Sequence, residues 1–185
     1  MATPTTLPST FTAGQVLTAA QMNNLRGAFR VLQVVSTAKS DTFTASIASG
    51  GSTAVTGLSV SITPSATTSQ ILVIAEVNAN IGIAAANIFL KLFRGATAVG
   101  VGAAAGSRQQ VSFGVTQGAN TDTVSSGSVI FLDSPATTSS TTYSLNISHN
   151  SGSTRTVYVN RDSTDTDAAA TGRSFSSITV LEISA

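Results

Sequence analysis

The side chains able to carry chemistry are few in this sequence, and their spacing fits no established catalytic pattern. His149 is the only histidine, in Ile147-Ser-His-Asn-Ser-Gly152. A Ser-His-Asp triad would need it beside a nucleophile and an acid, and 27 serines single out no candidate. Its place before Asn-Ser-Gly points instead to a strand end at a turn. Asp162, Asp165 and Asp167 form the densest acidic run. Hard cations such as calcium draw several carboxylate oxygens from one loop, but D-x-x-D-x-D is not the EF-hand spacing and no Glu closes it. A solvated loop tip without metal is the expected reading. Glu76 and Glu182 are the only glutamates. Glu76 lies inside a strongly apolar run, where a carboxylate needs a partner such as an arginine. That predicts a structural pair, not half of a glycosidase acid/base pair whose other member would be Glu182 or an Asp.

Arg94, Arg108, Arg155, Arg161 and Arg173 each stand beside Gly, Asn, Ser or Thr. They suit contact with a polysaccharide or an acidic partner subunit, or simple solvated and intersubunit ion pairing. Gly100-Val-Gly-Ala-Ala-Ala-Gly106 is glycine-rich but lacks the Lys and the strand-to-helix setting of a phosphate loop. The sequon Asn146-Ile-Ser148 falls within an expected strand. No cofactor is expected.

Composition narrows the classes further. The chain has 185 residues, enough for one domain with a buried core plus an appendage. Only 9% of residues are charged, against about 25% in ordinary domains. The 27 serines and 28 threonines supply the polar surface instead, and Thr favours strands. A net charge of +1, with basic residues scattered, gives no electrostatic reason to expect nucleic acid or an anionic membrane. So weak a charge gives a lone monomer little colloidal protection and favours a protein built into an assembly. There is no cysteine, hence no disulfide or thiolate metal site. The N-terminus has no basic and apolar regions of the signal-peptide kind. The most apolar run, Ile81 to Phe93, contains Lys91 and is too short to cross a bilayer.

The elements that must position these residues read as strands after one helix. Thr18 and Gln21 have capping-box spacing, with Leu17 and Met22 at the staple positions. Met22, Leu25, Phe29 and Leu32 then recur at three, four and three residues, an apolar stripe on a helix from about Ala19 to about Phe29. Two heptads are too few to hold a coiled coil alone, but they can set register between copies. Leu17, Met22, Leu25, Phe29 and Leu32 are therefore the candidate oligomerisation residues. The competing reading packs the helix over the end of its own domain. From Val31 onward, nine or ten strands are expected. Phe43, Ala45 and Ile47 share one face, as do Leu58, Val60 and Ile62. Ile71 to Asn78, nearly all apolar, suggests a strand buried on both faces. Strands at such regular spacing with no helices between them suggest a sandwich or jelly roll. Pro64-Ser-Ala-Thr-Thr-Ser69 and Pro135-Ala-Thr-Thr-Ser139 each follow a strand and precede another, which predicts two similar hairpins.

Four stretches, taken in order, resemble the small tail-fibre-like virion structural proteins of tailed bacteriophages, especially aquatic and cyanobacterial ones. They are Phe11-Thr-Ala-Gly-Gln-Val-Leu-Thr-Ala-Ala-Gln-Met-Asn23; Gly57-Leu-Ser-Val-Ser-Ile-Thr-Pro64 with Ile71-Leu-Val73; Phe131-Leu-Asp-Ser-Pro135 with Tyr143; and Val157-Tyr-Val-Asn-Arg161 with Ser177-Ile-Thr-Val-Leu-Glu182. The resemblance implies a β-sandwich virion component, commonly a homotrimer, and supplies no catalytic residue.

The expectation is thus an all-β, antiparallel, jelly-roll-like sandwich over 34–185, preceded by an anchoring arm and short α-helix over 1–33. Its expected role is non-enzymatic: a trimeric tail fibre or tail-tip module that contacts the host surface. Expected partners are its own copies, other virion proteins of tail or capsid, and host-surface polysaccharide, with neither nucleic acid nor membrane among them. Its expected location is the virion, assembled in the host cytoplasm. The alternatives are a capsid decoration protein that stabilises the head and a polysaccharide-degrading enzyme, the latter disfavoured by so few Glu and one His.

Overall fold

The computed structural model describes residues 13–14, 16, 30–169 and 171–184. The expected helix, with Leu17, Met22, Leu25 and Phe29, lies outside the described residues. Leu32 does not extend it: it belongs to the first strand.

Eleven described strands form two antiparallel sheets. The first sheet holds β1 (Val31–Lys39), β2 (Phe43–Ile47), β4 (Gln70–Ile81), β8 (Ser125–Asp133), β10 (Arg155–Val159) and β11 (Ser176–Ile183). The second holds β3 (Ser52–Ile62), β5 (Asn87–Arg94), β6 (Thr97–Val99), β7 (Phe113–Thr116) and β9 (Thr141–His149). In the first sheet β4 is central. β8 pairs along one side of it, while β11 and β10 share the other, with β1 beyond β11 and β2 beyond β10. In the second, β9 lies between β3 and β5, and β7 and β6 divide the far side of β5.

Period-two patterning explains why the sheets stack. Successive side chains on a strand point to opposite faces, so an alternating strand can bury one face and hydrate the other. Leu58, Val60 and Ile62 of β3 are buried, and Ser59 and Ser61 between them are exposed. β4 supplies Ile71, Val73, Ala75, Val77, Ala79 and Ile81 to the same core, which β5, β9, β10 and β11 complete. Removing each large aliphatic side chain from water contributes roughly 1.5–3 kcal/mol before conformational entropy is set against it. Two antiparallel sheets sealing one core make the expected sandwich. β1 begins at Val31, so the strand runs across the expected boundary at 33/34.

Two sequence expectations are corrected. The two Pro-led loops are not hairpins. β3 and β4 belong to different sheets, and so do β8 and β9, so residues 63–69 and 134–140 each carry the chain across the sandwich. Ile62 stands opposite Thr141 and Ile71 opposite Asp133, which places both corners at one end of the molecule. Second, β4 is not buried on both faces. A two-layer fold has nothing to cover the outer side of a sheet, and Ile74 and Glu76 are exposed there. The apolar run from Ile81 to Phe93 spans the turn between β4 and β5. Among the described residues no helix is long and apolar enough to cross a membrane.

At one side of the sandwich β8 lies close against β7. A Cβ on Gly127 would sit 2.5 Å from Val115 Cγ1 and 2.7 Å from Phe113 Cδ2. The closeness of the two layers here requires a residue without a side chain.

Candidate functional site

The residues with chemical potential are mostly committed to holding backbone. His149 ends β9, as its sequence context predicts, and is completely buried. Its Nε2–H donates to the Ile47 carbonyl at 2.9 Å, while Nδ1 accepts from the Ser151 amide and hydroxyl. Nε2 thereby ties β9 to β2, and Nδ1 holds the turn that follows β9.

The acidic run is only partly a solvated loop tip. Asp162 is buried, and its Oδ1 accepts the amides of Thr164 at 3.0 Å and Asp165 at 2.6 Å. Its carboxylate serves the loop's own unpaired backbone donors. Asp165 is neutralised by two arginines, Arg161 at 3.1 Å and Arg173 at 2.7 Å. Asp167 is exposed. Among the described residues no group of three His, Cys, Asp or Glu side chains could hold a metal ion.

The buried glutamate is not the expected one. Glu76, expected to be buried and paired, is exposed on the outer side of β4. Glu182 is the buried one, beneath the first inter-sheet corner. Its Oε1 accepts from the Ser65 amide at 2.7 Å and hydroxyl at 2.6 Å, and its Oε2 accepts from Gln33 Nε2 at 2.6 Å. Burial alone would raise this carboxyl. The donors of Ser65, Ser69 and Gln33 outweigh it and bring the pKa from 4.5 down to about 2. No sequence pattern marks this role, because Gln33, Ser65 and Glu182 are far apart in the chain.

Of the five arginines, Arg94, Arg161 and Arg173 are paired with this chain's own aspartates and not reserved for a partner. Arg161 also lies 4.5 Å over the Tyr158 ring. Arg94 meets Asp133 at 2.8 Å, and Tyr143 donates to the same carboxylate from within the core. Burial, followed by the hydrogen bond to Asp133 and its charge, pushes the Tyr143 phenol well above its ordinary value, with Arg94 partly opposing. Arg108 is exposed in the glycine-rich loop, and Arg155 is half-buried on β10. Asn146 of the sequon sits within β9.

What remains is a surface rather than a catalytic cluster. On the outer side of the first sheet, strand register aligns Val34, Leu181, Leu72 and Leu132 in one row across β1, β11, β4 and β8. Ser36, Thr179, Ile74 and Ile130 form the next. Val31 and Ile183 extend the tract at one end, where a bulge also brings Leu32 to the surface. Ile130 is 71% exposed, Val34 57% and Leu132 47%. Scattered exposed aliphatics are ordinary, but a contiguous tract four strands wide is a candidate interaction surface. Of the candidate oligomerisation residues, Leu32 alone lies among the described residues, and it belongs to this tract. The signal for the rest was present in the sequence: β4, β8 and β11 are apolar at both parities. Of these, Ile71 to Asn78 in β4 was expected to be buried on both faces, and its second side is this open face.

No family model matches the chain, and no curated protein matches it. Among solved structures it is similar to chains of infectious bursal disease virus, Gt strain and Gx strain, at 13% identity in both cases. The TM-scores are 0.44 and 0.40, and the matches cover 82% and 84% of this chain but 38% and 36% of those chains. This chain therefore spans little more than a third of their length.

Proposed function

We propose that this protein is a non-enzymatic structural component of a tailed-phage particle, most specifically a trimeric tail-fibre or tail-tip module that meets the host surface. The segment 1–33 anchors and aligns the copies, and the sandwich presents the exposed hydroxyl-rich surface to host polysaccharide. The observation that carries the reading is where the apolar side chains lie. One set seals the core between the sheets, and a second forms an open tract on the outside of a chain with only 9% charged residues. An assembly component needs both. The commitment of His149, Glu182, Asp162 and Asp165 to structural bonds supports the same reading. The virion setting rests on the ordered resemblance of the four stretches, three of which supply β3, β4, β8, β9, β10 and β11.

Labelling this chain in intact particles tests the assignment by electron microscopy. Copies at the tail tip or fibres are expected. Copies spread over the head shell would overturn it in favour of a decoration protein. Incubation with purified host polysaccharide is expected to leave chain length unchanged, and shortened chains would overturn the non-enzymatic reading.

A further inference from the structure

On the outer side of the second sheet, β5 presents Phe89 and Lys91, while Ile88, Leu90 and Leu92 face the core. Phe89 stands between Gly114 of β7 and Ser148 of β9. A Cβ on Gly114 would lie 3.4 Å from Phe89 Cδ1 and 3.8 Å from Cε1, so the half-buried ring reaches over the space that the glycine leaves. Residues 100–112 form a loop beside it that is fixed at its neck. The Gly102 amide donates to the Val111 carbonyl at 3.1 Å, Gln110 Nε2 to the Gly102 carbonyl at 2.9 Å, and the Ser112 amide to the Leu90 carbonyl at 2.9 Å. Gln109 pins the loop to the sheet, its Oε1 accepting from the Ser148 hydroxyl at 3.3 Å. Phe89, Ser107, Arg108, Gln109 and Asn150 line an open cavity of about 410 Å³, a volume within the range of small-ligand sites.

We propose that this cavity binds an acidic sugar, one uronate unit of a polysaccharide. The inference deepens the proposed contact with host polysaccharide and rests on that reading for the source of the sugar. The groups left without partners define the ligand. The amide oxygens of Gln109 and Asn150 are taken by the hydroxyls of Ser148 and Ser49, and their amide nitrogens have no acceptor among the described residues. The side chains of Arg108 and Lys91 have neither an ion pair nor a hydrogen bond there. Lys91 follows Phe89 on the same face of β5, about 6.6 Å further along. No Asp or Glu occurs in β3, β5, β6, β7, β9 or residues 100–112, so none of these segments neutralises the two cations. Arg94, the other basic residue of β5, is already tied to Asp133. A site offering mainly donors and positive charge beside an aromatic ring suits a ligand with an apolar face, hydroxyl oxygens and a carboxylate. A pyranuronate has all three. Phe89 takes its face of C–H groups, Arg108 takes its carboxylate, and Gln109 and Asn150 donate to its hydroxyls. The internal bonds of the loop hold the site before the sugar arrives, which lowers the cost of ordering it.

Affinity electrophoresis of the full chain through gels carrying galacturonan, alginate or hyaluronate tests the site, with dextran as the neutral control. Retardation by at least one acidic polymer, and less by dextran, is expected. Phe89→Ala and Arg108→Gln should each weaken that binding about tenfold in Kd, and Lys91→Gln by less. Phe89→Tyr keeps a ring and is expected to bind as the unaltered chain does. Glu76→Gln, on the other sheet, is expected to change nothing. Circular dichroism confirms that each variant keeps its sheets, and Arg108→Gln, at an exposed position, decides the matter if Phe89→Ala does not fold. No retardation by any of the three acidic polymers, or equal retardation by dextran, would overturn the proposal. So would binding that neither Phe89→Ala nor Arg108→Gln weakens. Tighter binding of single-stranded DNA through the same residues would also overturn it, because bases stack on aromatic rings and phosphates seek cations. The place in the particle is read separately by microscopy. Copies on the head shell that still bind uronate would sink the tail assignment alone, and copies at the tail tip that bind none would sink the sugar site alone.

Discussion

The hydroxyl of Tyr143 on β9 donates a 2.7 Å hydrogen bond to Oδ2 of Asp133 on β8, joining the two sheets at the end where the chain twice crosses between them. Arg94 of β5 brings Nη1 to within 2.8 and 2.9 Å of the same carboxylate. A nearly buried Asp thus has donors from two strands of the opposite sheet. Tyr143→Phe removes one donor and leaves the ion pair, which predicts a loss of about 1–2 kcal/mol in urea unfolding. Asp133→Ala strands a core phenol and a guanidinium together and should cost about 2–4 kcal/mol, discounted from a fully buried pair because Arg94 is partly hydrated. A smaller loss for Asp133→Ala than for Tyr143→Phe would contradict this account.

Glu182 makes stability depend on acid. Its folded pKa of about 2 lies below the unfolded 4.5, so the native state holds the carboxylate more tightly than the proton. Its contribution is complete above pH 4.5 and disappears as pH falls toward 2. The shift corresponds to about 3 kcal/mol. Glu182→Gln should flatten the unfolding free energy across that window. It should also be less stable at neutral pH, because one amide cannot accept from both Ser65 and Gln33 as a carboxylate does. Gln33 cannot simply turn over to help, since its Nε2 also donates to the Thr63 carbonyl at 2.7 Å. Identical pH profiles for the two proteins would contradict the assignment.

Gly127→Ala tests the contact between β8 and β7. The added methyl would fall within 3 Å of both Val115 and Phe113, a distance real side chains do not tolerate. Either the Phe113 ring moves or the two layers part. We expect a loss of about 1–3 kcal/mol in thermal or urea unfolding. A cavity partner checks the cause: Phe113→Leu in the same background should recover part of the loss.

How much of this was legible in the sequence follows from the range of each interaction. Alternation is local, so β2, β3, β10 and β11 could be read directly, as could the burial of Leu58, Val60 and Ile62. The Pro64 and Pro135 loops were correctly read as strand ends, but the sheet in which the next strand lands is set by pairing with β8, β9 and β11, distant in sequence. Burial was expected at Glu76 and not at Glu182 for a related reason. The local environment of Glu76 is apolar on both sides, whereas the donors that make burial tolerable for Glu182 come from Gln33 and Ser65. An apolar strand read alone is the same whether a third layer covers its outer face or water does.

The last prediction tests the proposed role of the N-terminal stripe. Under the proposed reading Met22, Leu25 and Phe29 align three copies. Met22→Ser, Leu25→Ser and Phe29→Ser together should reduce a three-copy assembly to single copies that keep the circular dichroism of the sandwich, whose described strands run from Val31 to Ile183. Light scattering on the two proteins reads the mass directly. If the triple Ser variant keeps the wild-type mass, the N-terminal stripe aligns no copies.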